Sequence, residues 1–134
     1  MLMDGYLSDE LWLRLLAGLV IGLVLGSFIT MLSYRVPRSL SIISPPSKCP
    51  HCHTKLKARD LIPVLSWLLE RGHCRYCHRA ISRRYLVIEL TTAVSVTLAF
   101  WYFGLTPRLI AAVLGLVAFI SLVSINFERQ RKIW

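Results

Sequence analysis

Four cysteines stand in two CxxC pairs, Cys49 and Cys52 in "KCPHCH" and Cys74 and Cys77 in "GHCRYCH", with twenty-one residues between the pairs. Each tight turn supplies two sulfurs, and two such turns close a tetrahedron around a soft divalent ion. This spacing is the sequence form of a four-thiolate Zn2+ site. The competing chemistry is a pair of disulfides, which an oxidising compartment favours and a reducing one opposes. Redox work by a single CxxC has no thioredoxin-like unit around it. All four histidines, His51, His53, His73 and His78, lie inside or beside the same pairs. A mixed Cys and His set is chemically possible, but four thiolates already complete a structural tetrahedron, so the histidines are read as neighbours. Such a site staples a loop and is assigned no catalytic work.

A second kind of chemistry attaches to Glu89, the one charge in an otherwise apolar stretch from Leu86 to Thr106. A carboxylate inside a membrane-length segment is costly and is usually paired or functional. Two roles follow for it: an ion pair with Arg35, or a hold on a substrate ammonium group.

The elements that must position these residues are long and apolar. The chain has 134 residues, 55% of them hydrophobic, too apolar for a small soluble domain. Three segments have the length and character of membrane helices: residues 11–34, 86–106 and 109–126. The first contains a charge-free run from Leu15 to Tyr34, and its acidic amino end (Asp4, Asp9, Glu10) argues for an anchor over a cleaved signal peptide. Gly18, Gly22 and Gly26 recur every four residues on one face, where small residues permit close helix contact. The expected fold is a mainly α membrane protein with three transmembrane helices. A small Zn2+-binding loop domain occupies residues 35–85, between the first and second helices. Residues 1–10 form a lead and 127–134 a basic tail. Pro37 ends the first helix near Arg35, and "LIPVLSWLLERG" forms a short helix after Pro63, stopped by Gly72, with Leu65, Trp67, Leu68 and Leu69 packing on the metal module or lying at the membrane surface.

From Tyr34 to Tyr85 there are eleven Lys and Arg against two acids, so this loop is expected on the cytoplasmic side, with the amino end periplasmic. "RQRK" (Arg129 to Lys132) then falls on that side as well. Positive-inside topology accounts for the net charge of +9 without nucleic acid, and the bilayer is the expected partner.

In this order, "GSFITMLSYRVP" (Gly26 to Pro37), "CPHC", "DLIPVLSWL", "RGHCRYC", "ISRRY" and "IEL" resemble the amino-terminal domain of bacterial type IV prepilin peptidases, the bifunctional leader peptidases and N-methyltransferases of pilus assembly and type II secretion. The resemblance runs from about Gly22 to the end of the sequence. It implies an inner-membrane protein that acts on prepilins or pseudopilins, with S-adenosylmethionine as methyl donor. No glycine-rich nucleotide loop is visible, so the donor rests on the resemblance alone.

The family's peptidase half uses two aspartates, one in a GxGD segment that this sequence does not reach. Asn126 stands at the position of the first, and an amide cannot take the proton that a carboxylate pair shares. Thr30 stands where Asn is common, and Leu86 where Pro is common. The expectation is a truncated or stand-alone methyltransferase-type module, unable to cleave leaders by itself, working with a separate aspartyl peptidase half. The rival expectation is an inactive remnant that scaffolds pilin or secretion partners.

Overall fold

A computed structural model describes residues 2–132, with side chains placed for residues 10–131. Among them are four α-helices: α1 (Leu2–Arg35), α2 (Leu65–Leu69), α3 (Arg83–Phe103) and α4 (Pro107–Lys132). The remaining β structure is two isolated antiparallel bridges, Lys48 with Lys55 and His73 with Ala80. Three stretches are long and apolar enough to cross a membrane: Glu10–Arg38, Arg83–Phe103 and Pro107–Arg131.

The boundaries follow backbone chemistry more closely than hydropathy. The expected lead is helical from Leu2 onward. Pro37 sits in a 3-10 turn, Val36–Arg38, directly after α1. Helix α3 starts at Arg83, three residues before the apolar run, because the Ser82 hydroxyl accepts the Arg84 N–H and caps it. It stops at Phe103 because Gly104 takes φ 58°. Pro107 then opens α4, a position where its missing N–H costs nothing. Helix α4 continues through "RQRK", so the basic tail is helical to Lys132; Ile133 and Trp134 lie outside the described residues.

The glycine repeat meets α3. A Cβ at Gly18 would stand 2.9 Å from the Thr97 Cα, one at Gly22 2.7 Å from the Ala93 Cα, and one at Gly26 2.8 Å from the Glu89 Cα. Three glycines at four-residue steps thus face three α3 residues at the same step, running antiparallel. With no hydrophobic drive between helices in lipid, close backbone approach is what holds such a pair. Toward the other end of the helices a small core forms from Val96, Ala99, Phe100 and Leu109, with Ala17 and Leu25 of α1 packed against it.

At the loop end, α4 is tied in by charge. Glu128 accepts from Arg38 (2.7 Å) and from Arg84, and the Arg84 Nη2 also donates to the Ser33 hydroxyl at 2.7 Å. Arg38 in turn lies over the Tyr34 ring, 4.0 Å from its centre. One carboxylate on α4 therefore joins the ends of α1 and α3. The loop and the basic end of α4 stand at the same end of the bundle.

Candidate metal centre and the groove beneath it

Each CxxC pair folds into a knuckle by the same hydrogen bonds. In the first, Cys49 N–H donates to the Thr54 carbonyl and His53 N–H to the Cys49 carbonyl; in the second, Cys74 N–H donates to the Arg79 carbonyl and His78 N–H to the Cys74 carbonyl. To close these turns His53 and His78 take φ 57° and 54°, the left-handed region. Here lies the role of two of the histidines: they are turn residues, and all four imidazoles are exposed.

The two knuckles bring the Sγ atoms of Cys49, Cys52, Cys74 and Cys77 within 4.8 Å of one another. A tetrahedral ion with metal–sulfur bonds of about 2.3 Å needs sulfurs about 3.8 Å apart, and Cys49 and Cys77 are at 3.8 Å. None of the four is in a disulfide. No histidine joins the cluster among the described residues. The set therefore fits a metal ion and is compatible with Zn2+. The thiols are not equivalent: the Thr54 hydroxyl and backbone groups draw Cys52 down to about 6. Cys77 is pushed up to about 11, where the Arg79 amide works to lower it but desolvation and the three neighbouring sulfurs outweigh it. Desolvation opposes ionisation of Cys74, yet the Cys77 and Tyr76 amides draw it down as well. A cation among the four sulfurs relieves the resistance that remains at Cys77.

The segment between the knuckles is clasped by Asp60, which the sequence reading missed. Its Oδ2 accepts from Lys57 N–H and from the Tyr76 hydroxyl, both at 2.9 Å, and its Oδ1 lies 3.3 Å from Arg75. Burial of Asp60 opposes its ionisation, yet the Lys57 amide, Tyr76 and the arginines together hold the carboxyl below its ordinary 3.8. Arg75 also reaches Glu70 at 2.5 Å. The only hint in sequence was that these are the loop's two acids.

Glu89 and Arg35 do not pair, which corrects the expected ion pair. Arg35 donates instead to the carbonyls of Ser41 (2.7 Å), Ile42 and Pro45 (2.8 Å), folding the chain after α1. Glu89 is buried, 9% exposed, and its Oε2 accepts the Val64 N–H at 2.7 Å. Val64 is unusual in itself, with φ 61° and ψ −51°. Leu65 N–H donates to the Pro63 carbonyl at 2.6 Å around it. This is the rare form of γ-turn, strained for a β-branched residue, and the Glu89 carboxylate holds its N–H. Helix α2 follows at once and ends near Gly72, as expected: Gly72 at φ +74° packs against the Trp67 ring and donates to the Trp67 carbonyl.

Between the knuckles, α1 and α3 lies a cavity of about 830 Å³, lined by Glu89, Asp60, Tyr34, Trp67, Tyr85 and Cys74 among others, and reaching Val24 and Phe28 on α1. Arg35 borders it. Thr30 also lines it, its hydroxyl engaged by the Gly26 carbonyl at 2.8 Å. Asn126 is exposed on α4 and does not line it.

The sequence model described as the Bacterial Peptidase A24 N-terminal domain matches residues 20–103, the segment that carries both knuckles and the groove. The chain belongs to that family. Similar proteins include the prepilin leader peptidase/N-methyltransferase of Dickeya chrysanthemi, 37% identical over 87% of this chain and 49% of that protein. Those of Bacillus subtilis (39% identical; 81% of this chain, 44% of that protein) and Neisseria gonorrhoeae (32%; 83% and 47%) bear the same name. The chain thus spans about half the length of the relatives it matches. No solved structure matches it. For an A24 N-terminal domain with three membrane-capable helices, the setting is a bacterial membrane, crossed more than once.

Proposed function

We propose that this domain is the methyl-transferring module of prepilin maturation for type IV pili or type II secretion. It sits in the inner membrane with the knuckle loop cytoplasmic, the amino end periplasmic and Zn2+ held by Cys49, Cys52, Cys74 and Cys77. Its substrate is the new amino terminus of a cleaved prepilin or pseudopilin. The observation that carries this reading is the cavity itself, which leads from the metal module to a buried carboxylate inside a membrane-capable helix. The relatives' names supply the reaction.

Methylation of an α-amino group needs a neutral nitrogen, and a pKa near ~8 leaves that group partly neutral already. The protein's task is then to bind and align, the largest contribution such a site can make. Glu89 receives the incoming ammonium by charge and accepts the proton that it must lose before its lone pair can attack the methyl group, with Val64 N–H fixing one carboxylate oxygen so that the group is oriented before the peptide arrives. The apolar groove wall of Val24 and Phe28 receives the peptide's apolar side. S-adenosylmethionine would supply an electrophilic methyl on a sulfonium centre. The cavity volume lies within the ordinary range for small-ligand sites, about 300–1,000 Å³, and its lining includes the aromatic residues Trp67 and Tyr85, of a kind that attracts a cation. Asn126 provides no carboxylate, so leader cleavage needs its carboxylates from a peptidase half.

The deciding assay is transfer of labelled methyl from S-adenosylmethionine to a pre-cleaved pilin by the purified chain, with and without that half. Label on the pilin is expected in at least one arm. Its absence from both overturns the reading and leaves a scaffold that binds pilin or secretion partners. Glu89→Gln keeps an acceptor for Val64 N–H but removes the charge, and is expected to raise KM for the pilin while Zn2+ content holds.

A further inference from the structure

Helix α2 carries its leucines outward. Leu65, Leu68 and Leu69 are 55%, 52% and 74% exposed, and Leu61 and Ile62 just before them are also open. A compact metal module in water has no reason to present five large apolar side chains along nine residues.

Its depth explains them. Val64, the residue before α2, is bonded to Glu89, and Glu89 lies six residues past the start of α3 at Arg83. At 1.5 Å per residue, that is about 9 Å along the helix axis from its charged end. Val87 and Leu90, on either side of Glu89, are exposed on the surface that a bilayer would cover. The leucines of α2 therefore leave the bundle at a level where α3 already faces acyl chains. Interfacial helices bury their apolar side about 5–10 Å into that boundary. Lys55, Lys57, Arg59 and Arg71 are exposed on the same module and suit anionic headgroups.

We infer that residues 61–69 form a lipid-inserted lip of the metal module, dipping into the headgroup and acyl boundary of an anionic bilayer and pinned at that depth by the bond from the strained Val64 turn to Glu89. This rests on α1, α3 and α4 crossing the bilayer, but not on methyl transfer. One consequence is that the groove, which reaches Val24 and Phe28 of α1, opens beside this lip toward lipid as well as toward water.

The test places a single fluorescent reporter on the lip: Leu69→Trp, with Trp12, Trp67, Trp101 and Trp134 changed to Phe. The chain is reconstituted in phosphatidylcholine and phosphatidylglycerol vesicles whose acyl chains carry bromine at shallow or deep positions. A companion chain keeps Trp101 as its only tryptophan and reports on the span; if Trp67→Phe does not fold, Trp67 is kept, Trp12, Trp101 and Trp134 are changed to Phe, and the lip signal is the difference between that chain with and without Leu68→Trp. Bound metal per chain certifies each fold. The lip reporter is expected to lose most of its emission to shallow bromines, less to deep ones, and little to aqueous iodide. Strong iodide quenching with no loss to bromine overturns the inference, provided Trp101 is quenched by lipid. If Trp101 is not quenched, the membrane-spanning assignment fails and the lip with it.

Discussion

Replacing Gly22 by alanine adds one methyl group, and the structure says where it goes. The new Cβ would stand 2.7 Å from the Ala93 Cα and 3.0 Å from the Ala93 carbonyl oxygen. Unstrained carbon atoms keep about 3.5–4.0 Å apart, so the helices must part by roughly 1 Å. Both obstacles are backbone, which leaves no rotamer to turn aside. Overpacking of this kind costs about 1–3 kcal/mol. The shift also loosens the contacts at Gly18 and Gly26, so the upper part of that range, about 2–3 kcal/mol, is expected. Gly115 on α4 is the internal control, because a Cβ there meets nothing within 4 Å. Gly115→Ala gains helix propensity, up to about 1 kcal/mol. Equilibrium unfolding of both variants in mixed micelles, followed by loss of helical circular dichroism, should move the two midpoints in opposite directions from the parent. Equal midpoints for Gly22→Ala and Gly115→Ala would refute the claim that α1 and α3 are held by backbone approach along the glycine seam.

Cys74→Ser should abolish stoichiometric metal binding, read by elemental analysis of the purified chain; unchanged zinc content would sink the four-thiolate assignment. Glu128→Ala leaves Arg38 and Arg84 facing each other without their carboxylate. Breaking a fully buried pair costs about 3–5 kcal/mol, and the 29% exposure of Arg38 reduces the expected loss to about 2 kcal/mol, seen in the same unfolding assay. Asp60 contributes a pH dependence whose sign follows from its depressed folded pKa. That contribution is whole above its ordinary 3.8 and is lost as pH falls through the lower folded value. Asp60→Asn should therefore lower loop stability at neutral pH and flatten the acid limb relative to the parent, measured by proteolysis of the loop across pH 2–6; parallel profiles would exclude the clasp.

What was legible in the sequence was whatever depends on short spacing or bulk composition. A CxxC pair folds its own turn, so Cys49, Cys52, Cys74 and Cys77 could be named as one ligand set before the turns were seen to meet. Twenty charge-free residues from Leu15 to Tyr34 need a nonaqueous environment in any fold, and glycines at every fourth position mark a close-packing face whichever helix receives it. Pro63 and Gly72 likewise bracket α2 by local backbone rules. Residues that act over distance were not legible. Glu89 looked like a partner for Arg35 because opposite charges near helix ends commonly meet, but Arg35 was claimed by three carbonyls six to ten residues on, and Glu89 by a backbone N–H that has no side-chain signature. Glu128 could not be tied to Arg84 and Arg38 until α4 was laid beside α1 and α3. His53 and His78 could be read as neighbours of the thiolates from the spacing, while the positive φ that explains their position could not. Local geometry and solvent preference are properties of the chain itself; which buried charge meets which donor is decided only when the helices pack and bring particular groups within reach of one another.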